Sequence, residues 1–290
     1  MKVGAHVGAS GGLITAFERA RAIGAETIQI FGAPPQTWRR RIIRPQECEA
    51  FRAGMKETGI QPVFLHGPYL INLATETPEQ LTKSTDALTG DLKLASAIGA
   101  QGVIFHIGSH KGAGFEQVLP QVADALRKVL ADTPDDAWII LENSAGMGGS
   151  VGSKITELGA IITACKSKRL RVCLDTEHAY AAGYNIADPA GVEETMAEFD
   201  REIGLDRLVA VHANDSKIPL GGGVDRHDNI GEGHIGRKGF EVIMRHKAFA
   251  DVPFLLEVPG YYKQGPDQPN IDALKEIRAK VTAKAKKATR

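Results

Sequence analysis

Eight short β-branched and aliphatic runs, each followed by a longer stretch of helical periodicity, constrain this chain more than any other feature. The runs are Lys2 to His6, Glu26 to Phe31, Pro62 to His66, Gly102 to His106, Ala137 to Glu142, Leu170 to Asp175, Arg207 to His212 and Pro253 to Glu257. Apolar runs of this length read as buried strands, and the segments between them as helices. From Pro78 to Gly99, for example, Leu81, Leu88, Leu92, Ala95 and Ile98 recur at three-, four- and seven-residue steps and form one apolar stripe. Gly24, Gly59, Gly99 and Gly204 each shortly precede a strand and read as left-handed residues that end helices. Strands joined by helical crossovers run parallel. Eight such units close most economically into a single-domain α/β fold, a (β/α)8 TIM barrel over residues 1–275, followed over 276–290 by the end of the last helix and a basic tail. An open doubly wound sheet would leave edge strands and normally carries fewer units.

Loop lengths show which end of the barrel works. Helix-to-strand connections such as Gly24-Ala25 are short, whereas the strand-to-helix segments 67–77, 107–114, 143–152, 176–188, 213–236 and 258–269 are long. Long connections are usually functional, and barrels place their active sites on the strand-to-helix side.

Composition removes several classes. With 290 residues, 43% apolar, and 35 Lys+Arg against 35 Asp+Glu, the chain is neither disordered nor collagen-like, and its zero formal charge gives no global reason to expect a polyanionic partner. No apolar run reaches the roughly 20 residues of a membrane span. The segment Met1 to His6 lacks the apolar region of a signal peptide, so a cytoplasmic location is expected. Cys48, Cys165 and Cys173 form no C-x-x-C pair and read as packing residues remote from the chemistry.

That chemistry sits at the strand ends. His66, His106, Glu142, Asp175, His212 and Glu257 close six different strands, and strand-end side chains of a barrel converge on one rim. Taken singly, each is as well explained by a lone polar residue at the solvent boundary. Six together, all possible metal ligands and none of them Lys or Arg, are not a coincidence. Asp175-Thr176-Glu177-His178 adds an imidazole three residues beyond a strand-end carboxylate, and Asp225-Arg226-His227 adds a carboxylate and an imidazole on one side of an extended segment. Imidazole and carboxylate without thiolate favour Zn2+, with Mn2+ or Fe2+ as alternatives by ligand type. Five histidines and four carboxylates are too many for one zinc and comfortable for three with a bridging carboxylate. Clusters of this kind hydrolyse, most often phosphate esters.

Other signals are weaker. Gly231-Glu232-Gly233-His234-Ile235-Gly236 matches G-x-G-x-x-G but follows a long loop, so it reads as a turn into the helix at Arg237 rather than a dinucleotide site. Trp38-Arg39-Arg40-Arg41 with Arg44 is a basic cluster, by default a solvated helix start and otherwise a grip on phosphates. Tyr69 and Leu70 read as buried rim residues or, alternatively, a wedge between bases. His6 is set aside as a packing residue, His110 and His246 read as surface or packing residues, and His234 stays open.

These motifs resemble the endonuclease IV family of apurinic/apyrimidinic-site endonucleases. The resemblance runs from Gly4-Ala5-His6-Val7 to Leu256-Glu257-Val258-Pro259 and includes His66-Gly67-Pro68-Tyr69-Leu70-Ile71-Asn72-Leu73, Leu141-Glu142-Asn143-Ser144-Ala145-Gly146, Cys173-Leu174-Asp175-Thr176, His212-Ala213-Asn214-Asp215-Ser216-Lys217 and Val224-Asp225-Arg226-His227. It implies a TIM barrel holding three zinc ions on His66, His106, Glu142, Asp175, His178, His212, Asp225, His227 and Glu257, with Glu142 bridging and catalytically required. It also implies cleavage of the phosphodiester 5′ to an abasic site in duplex DNA, leaving a 3′-hydroxyl and a 5′-deoxyribose phosphate, and trimming of blocked 3′ ends. DNA contacts would fall on Tyr69, Leu70, Gln36 and Arg226; a monomer with no protein partner and no membrane is expected. The chain departs from the family pattern at Gln36, where an inserting Arg is common, at Ile107, where a Pro is usual, and at Glu177, which either alters metal affinity or faces solvent. A metal-dependent sugar isomerase or epimerase on the same barrel is the alternative from another reaction class, countered by His178 with the Asp225 and His227 pair; a non-catalytic metal- or damage-binding module is a third, and would require the open metal positions to be blocked.

Overall fold

The computed structural model describes residues 1–39, 42 and 44–288, with side chains to residue 284. Among these residues the elements run β1 (Val3–His6), α1 (Thr15–Ile23), β2 (Ile28–Phe31), α2 (Pro45–Thr58), β3 (Val63–His66), α3 (Pro78–Ile98), β4 (Gly102–His106), α4 (Phe115–Ala131), β5 (Trp138–Glu142), α5 (Ile155–Cys165), β6 (Leu170–Asp175), α6 (Thr176–Ala181), α7 (Pro189–Glu202), β7 (Leu208–His212), β8 (Asp215–Ser216), β9 (His227–Asp228), α8 (Gly236–Arg245), β10 (Phe254–Leu256) and α9 (Gln268–Ala288). Strands β1 to β7 and β10 close a barrel in which every neighbouring pair is parallel, with β10 completing the ring between β7 and β1. The TIM barrel read from the sequence is the fold.

The period-two alternation of strands explains how the barrel serves the rim. Phe64, Ile104, Ile140, Cys173, Ala210 and Leu255 form one small buried cluster, drawn from six strands. Their chain neighbours Leu65, Phe105, Leu141, Leu174, Val211 and Leu256 belong to a second, larger cluster shared with the helices. The next residue along the chain returns to the face of the small cluster, and those residues are His66, His106, Glu142, Asp175 and His212 on their strands and Glu257 just past β10. Each ligand candidate thus stands one layer above a plugged interior.

Helix ends follow the glycine reading at three of four positions. Gly24, Gly59 and Gly99 take left-handed conformations that cap α1, α2 and α3. Gly204 does not: α7 ends before Ile203, and Gly204 has φ 93° with extended ψ 130°, opening a single 3-10 turn over Leu205–Arg207. Within α3, Leu88, Leu92, Ala95 and Ile98 are buried and Leu81 is partly so.

Two rim segments hold more structure than their sequence suggests. Residues 176–181 form α6, capped by the Asp175 carboxylate, which accepts from the His178 amide at 3.0 Å. The long segment after β7 contains the antiparallel ribbon β8–β9, which pairs Asp215 with Asp228 and Ser216 with His227. The buried Asp215 carboxylate anchors its base by accepting from the amides of Gly231, Ile235 and Gly236 at 2.8–3.1 Å. A Cβ on Gly233 would lie 2.4 Å from the Ser216 carbonyl oxygen and 2.5 Å from Asp215 Oδ1, so the chain passes here only as glycine. The glycine-rich run is therefore a turn into α8. Of the basic cluster near Trp38, Arg40 and Arg41 lie outside the described residues, as does Arg290 of the tail, while α9 continues to Ala288. Among the described residues, no helix is long and apolar enough to cross a membrane.

Candidate metal centre

Cross-strand register brings the strand-end residues side by side: His106 pairs with Glu142 and Asp175 with His212. Glu142 is fully buried and sits among four imidazoles, with His212 Nδ1 at 2.9 Å, His66 Nε2 at 3.3 Å, His178 Nδ1 at 3.4 Å and His106 Nδ1 at 3.6 Å. Glu257 lies just past the end of β10, with Oε2 3.2 Å from His212 Nδ1. Asp225 reaches in from the segment after β8, 3.4 Å from His178 Nε2 and 3.3 Å from His227 Nε2. All nine residues expected from the sequence meet here.

Eight of the nine, joined by Glu177, fall into three overlapping sets of mutually close donors: His66, His106 and Glu142; Glu142, Asp175, His212 and Glu257; and Asp175, Glu177, His178 and His227, with Asp225 standing beside His178 and His227 of the third. Glu142 and Asp175 each belong to two of them. Within each group the ligand atoms lie within 4.8 Å of one another, and the clusters can hold metal ions.

Ring orientation tests whether cations fit. His66 Nδ1 faces the Gly67 carbonyl at 2.7 Å, His178 Nδ1 the Asn143 carbonyl at 2.9 Å, His227 Nδ1 the Glu257 carbonyl at 3.3 Å and His212 Nε2 the Gln29 amide oxygen at 2.8 Å. Each of these nitrogens has an oxygen acceptor and so carries the proton, leaving the other nitrogen of the ring aimed at carboxylates. A neutral nitrogen lone pair facing a carboxylate repels it unless a proton or a cation lies between. Burial lowers the pKa of His178, but Asp175, Asp225 and Glu142 outweigh it and push it well above the usual value. His212 is likewise raised against burial, by the Glu257 and Glu142 carboxylates. Burial would raise Glu142, yet His106, His212 and His66 hold it well below the ordinary carboxylate range. Asp225, raised by burial, is brought down to about 2 by His178 and His227. His227 Nε2 is buried with no hydrogen-bond partner. The donor set therefore fits divalent cations, with second ring nitrogens oriented as metal-ligating histidines require.

A supporting layer escaped the sequence reading. Gln29, fully buried in β2, accepts from His212 Nε2 and donates to Glu257 Oε1 at 2.6 Å. Asn214 Nδ2 donates to Asp175 Oδ2 at 2.7 Å while its Oδ1 accepts from the Glu257 amide at 2.8 Å, and Asn143 bonds the Asp175 backbone at both ends. His6, set aside as packing, contacts Glu257 Oε1 through Nδ1 at 3.0 Å and belongs to this layer. Cys173 is also nearer than expected. It interacts with His212, although burial pushes its thiol up to about 12 and keeps it protonated. Glu177 does not face solvent but is fully buried. His234 is exposed and lies outside the three groups. His110 and His246 accept backbone amides in local turns, as packing residues do.

Two clefts open over the centre. One of about 420 Å³ is lined by Tyr69, Leu70, His106, Met147 and Asp225, the other of about 670 Å³ by His6, Tyr69, His178, His227 and Glu257. Tyr69 stands between them, 57% exposed, with its ring edge-on to Phe31 and its amide donating to the Pro35 carbonyl at 3.1 Å. Leu70 is partly buried beside it, and Gln36 and Arg226 are exposed on neighbouring rim segments.

A closed parallel barrel carrying histidine and carboxylate clusters at its strand ends defines a class, and residues 17–280 match the family described as xylose isomerase-like TIM barrel. Within it, the chain is 37% identical over 278 residues to a probable endonuclease 4 of Chloroflexus aurantiacus, covering 95% of this chain and 98% of that protein. The crystal structure of endonuclease IV from Thermus thermophilus superposes with a TM-score of 0.82 at 36% identity, covering 96% and 98% of the two chains. A D-tagatose 3-epimerase-like protein shares the fold at TM-score 0.74 but only 19% identity, over the full length of both chains. The chain belongs to the endonuclease IV family and is an enzyme, a nuclease.

Proposed function

We propose that this enzyme cleaves the phosphodiester on the 5′ side of abasic sites in duplex DNA, leaving a 3′-hydroxyl and a 5′-deoxyribose phosphate, and that it also trims blocked 3′ ends. The observation that carries the reading is the shared position of Glu142 between two donor groups, buried against His106 and His178, which line an open cleft. Three zinc ions would be held by His66, His106 and Glu142; by Glu142, Asp175, His212 and Glu257; and by His178, Asp225 and His227. Bound there, divalent cations supply Lewis-acid stabilisation of a phosphodiester and acidify water for attack.

The chain's own residues do the remainder. Gln29, Asn143 and Asn214 fix the ligand side chains before substrate arrives, which spares reorganisation during the reaction. On this reading the exposed Tyr69 and its neighbour Leu70 fill the gap left when an abasic nucleotide leaves the stack, a displacement made cheaper by the missing base. Arg226 offers a guanidinium to backbone phosphate, while Gln36 offers only neutral hydrogen bonds. The enzyme acts as a monomer in the cytoplasm on this reading.

The test is a nicking assay on a duplex containing a single abasic analogue, paired with metal counting. Three zinc equivalents with nicking that a chelator abolishes support the reading. One or two equivalents, no nicking, and turnover of a ketose would replace it with the isomerase alternative.

A further inference from the structure

Glu177 has no part in the reading above, and its environment is unusual. The side chain is fully buried in the first turn of α6, between Asp175 and His178. Its Oε1 accepts from the Ser216 hydroxyl at 3.2 Å and from the Arg226 amide at 3.0 Å. Its Oε2 is buried with no hydrogen-bond partner. A buried carboxylate oxygen left without a partner is costly, more so when the group is charged. His227 Nε2 is in the same condition. Glu177 and His227, with Asp175 and His178, offer ligand atoms that all lie within 4.8 Å of one another.

We propose that Glu177 is a further protein donor to the cation position of His178, Asp225 and His227, presenting Oε2 from the buried side. The inference rests on the three-cation reading above and deepens it. The two bonds at Oε1 fix the carboxylate and tie α6, which carries His178, to the ribbon, which carries His227. One oxygen holds the two ligand-bearing segments in register, and the other is left for the cation. A second carboxylate beside two imidazoles makes this position richer in oxygen, which strengthens retention and moves its preference from Zn2+ towards Mn2+.

Metal-free full-length protein is titrated with Zn2+, and separately with Mn2+, against a competing chelator, for the wild type, Glu177→Gln and Ser216→Ala. Glu177→Gln keeps volume and the Oε1 acceptor but replaces the charged Oε2 with an amide. Ser216→Ala removes one bond to Oε1 without touching Oε2. The expected result is three zinc equivalents in the wild type, one of which weakens at least about 10-fold in Glu177→Gln while the other two hold and Ser216→Ala changes little. Should Glu177→Gln not fold, Glu177→Asp serves, since the shortened carboxylate cannot reach both the ribbon and the cation; the same single equivalent weakens. Unchanged affinities in the folded variant overturn the proposal, as does a Ser216→Ala loss equal to that of Glu177→Gln, which would make Glu177 a structural tie alone. A wild type holding fewer than three equivalents overturns the three-cation reading itself, and this proposal with it. Three equivalents with an unaltered variant overturn only this one.

Discussion

Glu142 is where the centre depends on a single side chain. Its two oxygens face imidazoles from β3, β4, β7 and α6, so its removal dismantles two donor groups at once. Glu142→Ala is expected to cut abasic-site cleavage by more than about 1,000-fold, because both cation positions lose a shared ligand. The barrel should stay folded, since Ile140 and Leu141 still pack on their two sides of β5. Far-ultraviolet circular dichroism beside the nicking rate checks both halves, and full activity would remove Glu142 from the shared position. Gln29 makes the complementary case. It touches no cation in the proposed arrangement, yet it sets which nitrogen of His212 is free. Gln29→Ala is expected to weaken zinc binding by about 10- to 100-fold, as loss of an outer partner does elsewhere. Zinc titration against a chelator reads this directly, and an unchanged affinity would make Gln29 a packing residue. The nine ligand candidates were legible because each is a polar residue breaking an apolar strand or flanking a loop. Gln29 gave the same signal, a polar residue between Ile28 and Ile30, but one buried polar residue inside a strand reads as easily as a satisfied interior group.

At the scale of elements, the strands were legible and the rim was not. A β-branched and aliphatic run registers within four or five residues, and six of these runs ended on a ligand candidate. Helix α6 spans six residues and the ribbon strands two each, too short for any periodicity to register. The one available mark was Asp175 as a helix cap, and its role as a ligand candidate concealed it. The inward turn of Glu177 depends on Ser216 and Arg226, 39 and 49 residues away, which local pattern does not report. The far end of the barrel shows a different tie. Arg278 on α9 forks onto Glu26, donating from Nη1 at 2.6 Å and Nη2 at 2.9 Å, while Glu26 Oε2 also accepts from the Val3 amide. Burial raises the Glu26 pKa, but Arg278 and Val3 outweigh it and bring it below the ordinary 4.5. Since the folded pKa is the lower one, this contribution is complete above the unfolded value and fades as pH falls through the folded value. Both groups are about one-third exposed, so solvent screening limits the loss in Arg278→Ala to about 1 kcal/mol. Melting curves of the two proteins should separate near neutral pH and converge in acid below pH 4.5; a constant gap would assign the effect to packing by the arginine stem.

For the whole molecule, the formal charge of zero is the quantity that metal loading alters. Thirty-five basic residues against 35 acidic ones cancel, and three divalent cations would take the loaded protein to about +6, concentrated at one rim. A neutral composition therefore does not argue against a DNA partner once the centre is filled. It makes the affinity conditional. Stripping the metals removes that positive charge and leaves the carboxylates of Glu142, Asp175, Asp225 and Glu257 facing the phosphates. Duplex binding should then fall by at least about 10-fold at moderate salt, since phosphate neutralisation supplies most non-specific affinity. Stability should fall too, because a ligand that binds only the folded state at about 1,000 times its dissociation constant contributes about 4 kcal/mol. The stripped barrel should still fold, held by the two apolar clusters. Fluorescence anisotropy on a labelled abasic duplex, with and without chelator across a salt series, separates the contributions. The loaded enzyme should show a shallower salt slope than a strongly basic DNA binder, because few side-chain cations displace counterions. A steep slope that survives chelation would place the DNA grip on the surface arginines and lysines, and the metal centre would then serve chemistry alone.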